Sequence, residues 1–135
     1  MKFLTVCVAV ISLSACGSRS SDEDQVREVI AGVETAAEER DASDLLEFVA
    51  DDYEDASGFD KSELQNFLRG WLLAHPKVEL LVNVESLEFP ADGLAQADIS
   101  VTRVSLSDPD HVRLKVEFRR SGGDWRVKRA DRIAR

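Results

Sequence analysis

Beyond position 16 the sequence contains no cysteine: of its 135 residues, only Cys7 and Cys16 carry a thiol. The rest of the chain therefore has no disulfide, no thiolate nucleophile and no cysteine ligand for a metal. Histidine is almost as scarce, with His75 before a proline at a helix end and His111 on the outward side of its strand. Neither is placed for acid–base work inside a fold. With 3 prolines and 7 glycines the chain is neither collagen-like nor low-complexity. A glycine-rich phosphate loop and a nucleophile elbow are also missing. No apolar run reaches the about 20 residues that span a bilayer. Bases are outnumbered, 17 Lys and Arg against 26 Asp and Glu, and the net charge of -9 argues against nucleic-acid binding through the whole surface.

What the chain does have is 44% hydrophobic residues, enough for one folded domain, and an uneven distribution of charge. Residues 22 to 63 hold 16 acids against Arg27, Arg40 and Lys61, whereas residues 111 to 135 hold 9 bases against Glu117, Asp124 and Asp131. Acidic helix surfaces facing basic strand surfaces account for this pattern.

The amino terminus has the form of an export signal. Lys2 precedes an apolar run from Phe3 to Ala15, too short to span a membrane and suited to a secretory h-region. The run ends in Leu13-Ser14-Ala15-Cys16, which resembles a bacterial lipobox. An ordinary signal peptide with a chance cysteine is the alternative. The resemblance implies cleavage after residue 15, acylation of Cys16 and a mature chain of 120 residues (135 minus 15) without a free thiol. Gly17, in place of the aspartate of inner-membrane retention, points to an outer-membrane lipoprotein facing the periplasm. Residues 17–21, "GSRSS", are expected to form a tether reaching about 17 Å when extended.

From Asp22 the period is helical, with Val26, Val29, Ile30, Val33 and Ala37 on one face and Asp22 with Gln25 as a capping start. After "RDAS" a short second helix covers Leu45 to Val49. A third carries Leu64, Phe67, Leu68, Trp71 and Leu72 and ends at His75-Pro76. The period then changes to 2. Val78, Leu80, Val82 and Val84 alternate and slip to Leu87 and Phe89, which predicts a β-bulge near Glu85-Ser86. Ala95, Ala97, Ile99 and Val101 follow, with a second slip around Arg103 to Val104 and Leu106. A third strand has Val112, Leu114, Val116 and Phe118, and a fourth begins with Trp125 and Val127. The connections "PADG", "SDPD" and "SGGD" are hairpin signals. The fold class is α+β: three amino-terminal helices, residues 22 onward, packed on a curved, bulged, four-stranded antiparallel sheet that runs to residue 135.

The run "RDASDLLEFVADDY", a loop, a third amphipathic helix and long bulged strands ending in "GDWRV" together resemble the nuclear transport factor 2-like superfamily, and in particular small bacterial lipoproteins of that type. The resemblance covers about residues 22 to 133 and rests more on the order of elements than on any one motif. It implies helices covering the concave face of a curved sheet and leaving a cone-shaped cavity. The superfamily includes isomerases, dehydratases, polyketide cyclases and non-catalytic binding domains, so the fold does not choose among them.

The inward strand positions, Val78 through Val127 by parity, include no titratable side chain, and no carboxylate of the superfamily's isomerases has a counterpart there. The expected function is a non-catalytic binding domain for a small apolar ligand or a periplasmic protein partner, with no cofactor. Its candidate pocket comprises Tyr53, Phe67, Trp71, Ala95, Ala97, Ile99, Leu114, Phe118 and Trp125, the free volume lying beside the small Ala95 and Ala97. An enzymatic alternative would use Tyr53 and Asp51 at the cavity mouth. Another is an envelope interaction module using the outward stripe of His111, Arg113, Lys115 and Arg119 with Arg126 and Lys128. The acidic segment "VADDYEDASGFDKSEL" fails as an EF-hand: with Gly58 at position 6, Tyr53 falls at 1 and Leu64 at 12. It is expected instead to turn at Gly58 and to cap the third helix with Asp60 and Glu63, leaving no metal site.

Overall fold

Seven elements occur in the expected order: α1 Ser18–Glu38, α2 Ala42–Glu47, α3 Lys61–Ala74, β1 Leu80–Ala91, β2 Leu94–Arg103, β3 Asp110–Ser121 and β4 Asp124–Arg132. The computed structural model describes residues 18–133; the expected signal peptide, residues 1–15, and the lipid attachment site Cys16 lie outside them.

Helix α1 starts earlier than its sequence pattern indicates. Ser18 through Ser21 are already helical, so they rise about 6 Å rather than forming an extended tether. Asp22 is not a cap; its carboxylate accepts a 2.8 Å bond from Arg120 on β3. The α1 pattern marked only the stretch that packs on the sheet, and a polar turn ahead of it has no periodic signature. The helix ends where Arg40 adopts φ 59 and sends its guanidinium to the Leu72 carbonyl at 2.7 Å. Asp41 then caps α2 by accepting from the Asp44 amide at 3.0 Å. Gly32 permits the close approach of the two helices, because a Cβ there would lie 2.5 Å from the Phe48 ring.

The α3 start follows the sequence reading. Asp60 accepts from the Glu63 amide at 2.8 Å, and Glu63 accepts from the Asp60 amide at 3.0 Å, forming a reciprocal capping box. At its other end the His75 ring stacks on Trp71, 4.2 Å between centroids, and Nδ1 bonds the Trp71 carbonyl at 2.7 Å. Both ends of α3 are therefore satisfied by side chains.

The strands form one antiparallel sheet in the order β1-β2-β3-β4. A register shift between Val84 and Ser86 is the bulge that the apolar slip predicts. The second slip has another cause. β2 ends at Arg103, Val104 donates to the Glu79 carbonyl at 2.8 Å, and Val104 and Leu106 are exposed in the following loop. A further bulge opposes Glu117 and Phe118 to Arg129 and Val127, leaving Lys128 out of the ladder and bringing Ala130 onto the inner face beside Val116. Bulges bend the strands that carry them, which is how so small a sheet becomes concave.

The open edge of β4 is covered by the chain after α2: Val127 donates to Phe48 O at 2.7 Å, and Ala50 and Glu54 donate to Val127 O and Lys128 O. At the end of the sheet near the β1–β2 and β3–β4 turns, Val26 of α1 is buried with Ala95, Ala97, Phe118 and Trp125. Toward the other end, α3 packs on α2 and on Ala36 and Val78 and stands off the sheet.

Candidate ligand cavity

The space between the standing-off helix and the concave sheet is a cavity of about 300 Å³. Helix α1 lines it with Ile30, Val33, Glu34 and Ala37, and α3 with Leu64, Leu68, Trp71 and Leu72. The sheet contributes Leu80 and Val82, Ile99 and Val101, Leu114, Val116 and Phe118, and Val127 and Ala130. The register explains this set: Val84, Ile99 and Leu114 form one cross-strand row and Leu87, Ala97, Val116 and Ala130 another, so alternate residues of four strands share the inner face. Near the turns Ala95, Ala97, Val116, Phe118 and Trp125 are buried beside Val26 of α1, with Leu87 and Phe89 partly buried against them. Near Leu80, Val101 and Leu114 the inner face is only half-buried, and there the cavity opens.

The structure gathers five of the nine expected pocket residues, Tyr53, Trp71, Ile99, Leu114 and Phe118, around this cavity. It places four elsewhere. Ala95 and Ala97 are 2% and 1% exposed within the filled core under Val26, so their smallness accommodates close packing of α1 rather than a ligand. Trp125 belongs to that core, edge-on to Phe89 at 5.9 Å with the Arg120 guanidinium 5.5 Å from its ring. Phe67 is half exposed and meets Phe59 at 5.7 Å on the outside of α3. Parity assigns a residue to a face, and the depth of that face under a helix is a tertiary property. Strand parity could not include the lining residues of α1 and α3; the charged one among them is Glu34, four positions after Ile30 on the apolar face of α1.

Tyr53 presents its ring to the cavity and turns its hydroxyl away. The phenol donates to Asp55 Oδ2 at 2.6 Å and lies 3.4 Å from the Ala130 carbonyl. Burial, and then the Asp55 carboxylate, push its pKa above the ordinary tyrosine range. A phenol held in its protonated form is a poor base. Asp51 does not accompany it: its largely exposed carboxylate pairs with Lys61 at 3.0 Å, which holds it below the usual carboxylate range. The pair considered for an enzymatic site is therefore not assembled at the cavity.

The acidic segment is occupied by its own donors. Asp55 Oδ1 accepts from the Ser57 and Phe59 amides at 2.9 and 3.2 Å, Gly58 turns at φ 83, and Asp60 caps α3. Among the described residues no group of three or more His, Cys, Asp or Glu side chains is arranged to hold a metal ion.

On the outer face the basic stripe is interleaved with acids. Arg113 binds Glu85 at 2.7 Å, Arg119 binds Asp52 at 2.6 Å, and Lys128 approaches the same carboxylate at 3.9 Å. Lys115 stands opposite Asp98 and Asp131 in the ladder, and Glu117 opposite Arg129. Exposed pairs of this kind each contribute little stability, and they place an acid beside Arg113, Arg119 and Lys128 of the stripe.

No family model and no curated protein matches the sequence. Solved structures do match. A cystatin-like-fold protein of unknown function from Nostoc punctiforme is similar at TM-score 0.70 and 17% identity, covering 84% of this chain and 90% of that one. An NTF2-like protein of unknown function from Pseudomonas putida is similar at TM-score 0.68 and 22% identity, covering 86% and 88%. A Bdellovibrio bacteriovorus protein, Bd1075, is similar at TM-score 0.74 and 8% identity over 90% of this chain and 43% of its own. Three helices on a bulged four-stranded sheet, matched along nearly the whole length of the first two structures, give this chain the nuclear transport factor 2-like, cystatin-like fold.

Proposed function

We propose that this is a lipid-anchored, periplasm-facing binding domain whose ligand is a small apolar molecule held between α1, α3 and the sheet. The observation that carries the reading is the cavity itself: about 300 Å³ of space walled by aliphatic and aromatic side chains, at the lower end of the range used for small-molecule sites. Removing an apolar ligand from water supplies the affinity, at about 25 cal/mol per Å² of buried surface, and no chemistry is required. Support for the anchor is the lipobox-like Leu13-Ser14-Ala15-Cys16, and for the outer-membrane address Gly17.

The test is native mass spectrometry of the protein purified from its own host. A retained apolar small molecule is the expected result. Protein that carries none, and that takes up no apolar compound of about ten non-hydrogen atoms afterwards, would overturn the reading.

A further inference from the structure

One residue among those that line the cavity carries a charge. Glu34 sits on α1 between Ile30 and Ala37, half-buried, and no described residue gives it a hydrogen bond or a counterion. Its methylenes extend the apolar wall and its carboxylate stands at the rim. The other charged groups nearby are engaged or distant. Arg27 bonds Glu23, Arg40 bonds the Leu72 carbonyl, and Glu38 accepts from the Leu80 amide at 3.4 Å. Arg103 donates to the Asp108 carbonyl. Arg132 stands opposite Leu114 on β4, without a described partner. Glu34 lies toward β1, because its helical neighbour Glu38 reaches Leu80 there. β1 and β4 are the two opposite edges of the sheet, so Glu34 and Arg132 belong to different sides of the cavity.

We propose that the cavity takes an amphiphile with a cationic head, its apolar body inside and its ammonium group on Glu34. The proposal rests on the binding-domain reading above and specifies its ligand class. The volume admits about ten non-hydrogen atoms, taking about 30 Å³ for each as for a water molecule. A cation at the rim gives the carboxylate a charge-assisted hydrogen bond, about twice as strong as a neutral one. An anionic head would place like charges together at the same rim.

The test uses three probes of matched length, octylamine, octanol and octanoate. They are titrated calorimetrically into the full chain in lipid nanodiscs, with the heats of empty nanodiscs subtracted. Octylamine is expected to bind about tenfold more tightly than octanol, the equivalent of one charged contact, and octanoate most weakly. Glu34→Gln, which keeps the side chain's shape, should reduce octylamine to the affinity of octanol and leave octanol unchanged. If octanol binds and octylamine binds no better, or if the preference survives in Glu34→Gln, the cationic head is wrong and the apolar cavity reading stands. If none of the three binds to protein shown by circular dichroism to be folded, both are overturned.

Discussion

The Tyr53 hydroxyl donates to Asp55 Oδ2 at 2.6 Å, and the same carboxylate accepts the amides of Ser57 and Phe59 through its other oxygen. One side chain thereby ties the acidic loop to the buried phenol that closes one wall of the cavity. The arrangement gives the only tyrosine of the chain a structural duty and makes its ionisation a reporter of folding.

Burial and the neighbouring carboxylate raise the folded-state pKa of Tyr53 above its unfolded value. The folded protein then holds a proton that the unfolded chain releases above about pH 10, so this contribution is complete below that pH and is lost as pH rises further. Phenolate absorbance should appear only together with loss of the folded circular dichroism signal. Tyr53→Phe should cost about 1.5–3 kcal/mol at neutral pH, the worth of a hydrogen bond to a charged group, and should flatten the alkaline decline. A phenol that titrates near pH 10 in the folded protein would contradict the bond to Asp55.

The reciprocal bonds between Asp60 and Glu63 set a second expectation. Asp60→Ala should lower stability by about 0.5–2 kcal/mol in chemical denaturation, and added calcium should leave the melting temperature of the parent protein unchanged. A calcium-dependent rise that disappears in Asp55→Ala would restore the loop as a metal site.

These local features were legible because short-range chemistry determines them. Asp60 three residues before Glu63 at the start of an apolar helix reads as a capping box, and the slip from Val84 to Leu87 within one strand reads as a bulge, from neighbours in sequence alone. The bulge at Lys128 left a fainter trace, because only Trp125 and Val127 precede it and Ala130 alone follows. The position of the free volume was not legible. Ala97 and Ile99 have the same parity on the same strand, yet the first lies under Val26 and the second opens onto the cavity. What separates them is where α1 crosses the sheet and how far α3 stands off it, and neither is written into a two-residue period.

Lipidation is tested at Cys16. Cys16→Ser should abolish both processing and partition into the detergent phase, since multiple acyl chains, at about 0.8 kcal/mol per buried CH₂, are what would hold the protein there. A mutant cleaved at the same bond with unchanged partition would remove the anchor. With Ser18 already helical, an acylated Cys16 would leave almost no slack, and the amino-terminal end of α1 would lie against the headgroups.

The division between filled core and cavity makes the last prediction. Ala97 is 1% exposed and surrounded by Val26, Val116 and Phe118, so Ala97→Leu should lower stability by about 1–3 kcal/mol through overpacking while the folded fraction still takes up octanol. Val101 faces open space two residues further along the inner face than Ile99. A ring at that position enters the cavity rather than a packed layer, so Val101→Phe should abolish octanol uptake and leave the melting temperature within a few degrees of the parent. Measuring stability and uptake in both variants separates the two regions. If Ala97→Leu blocked uptake at no cost in stability, and Val101→Phe destabilised the fold, the free volume would lie at the closed end of the cone, beside the turns, instead of beneath α3.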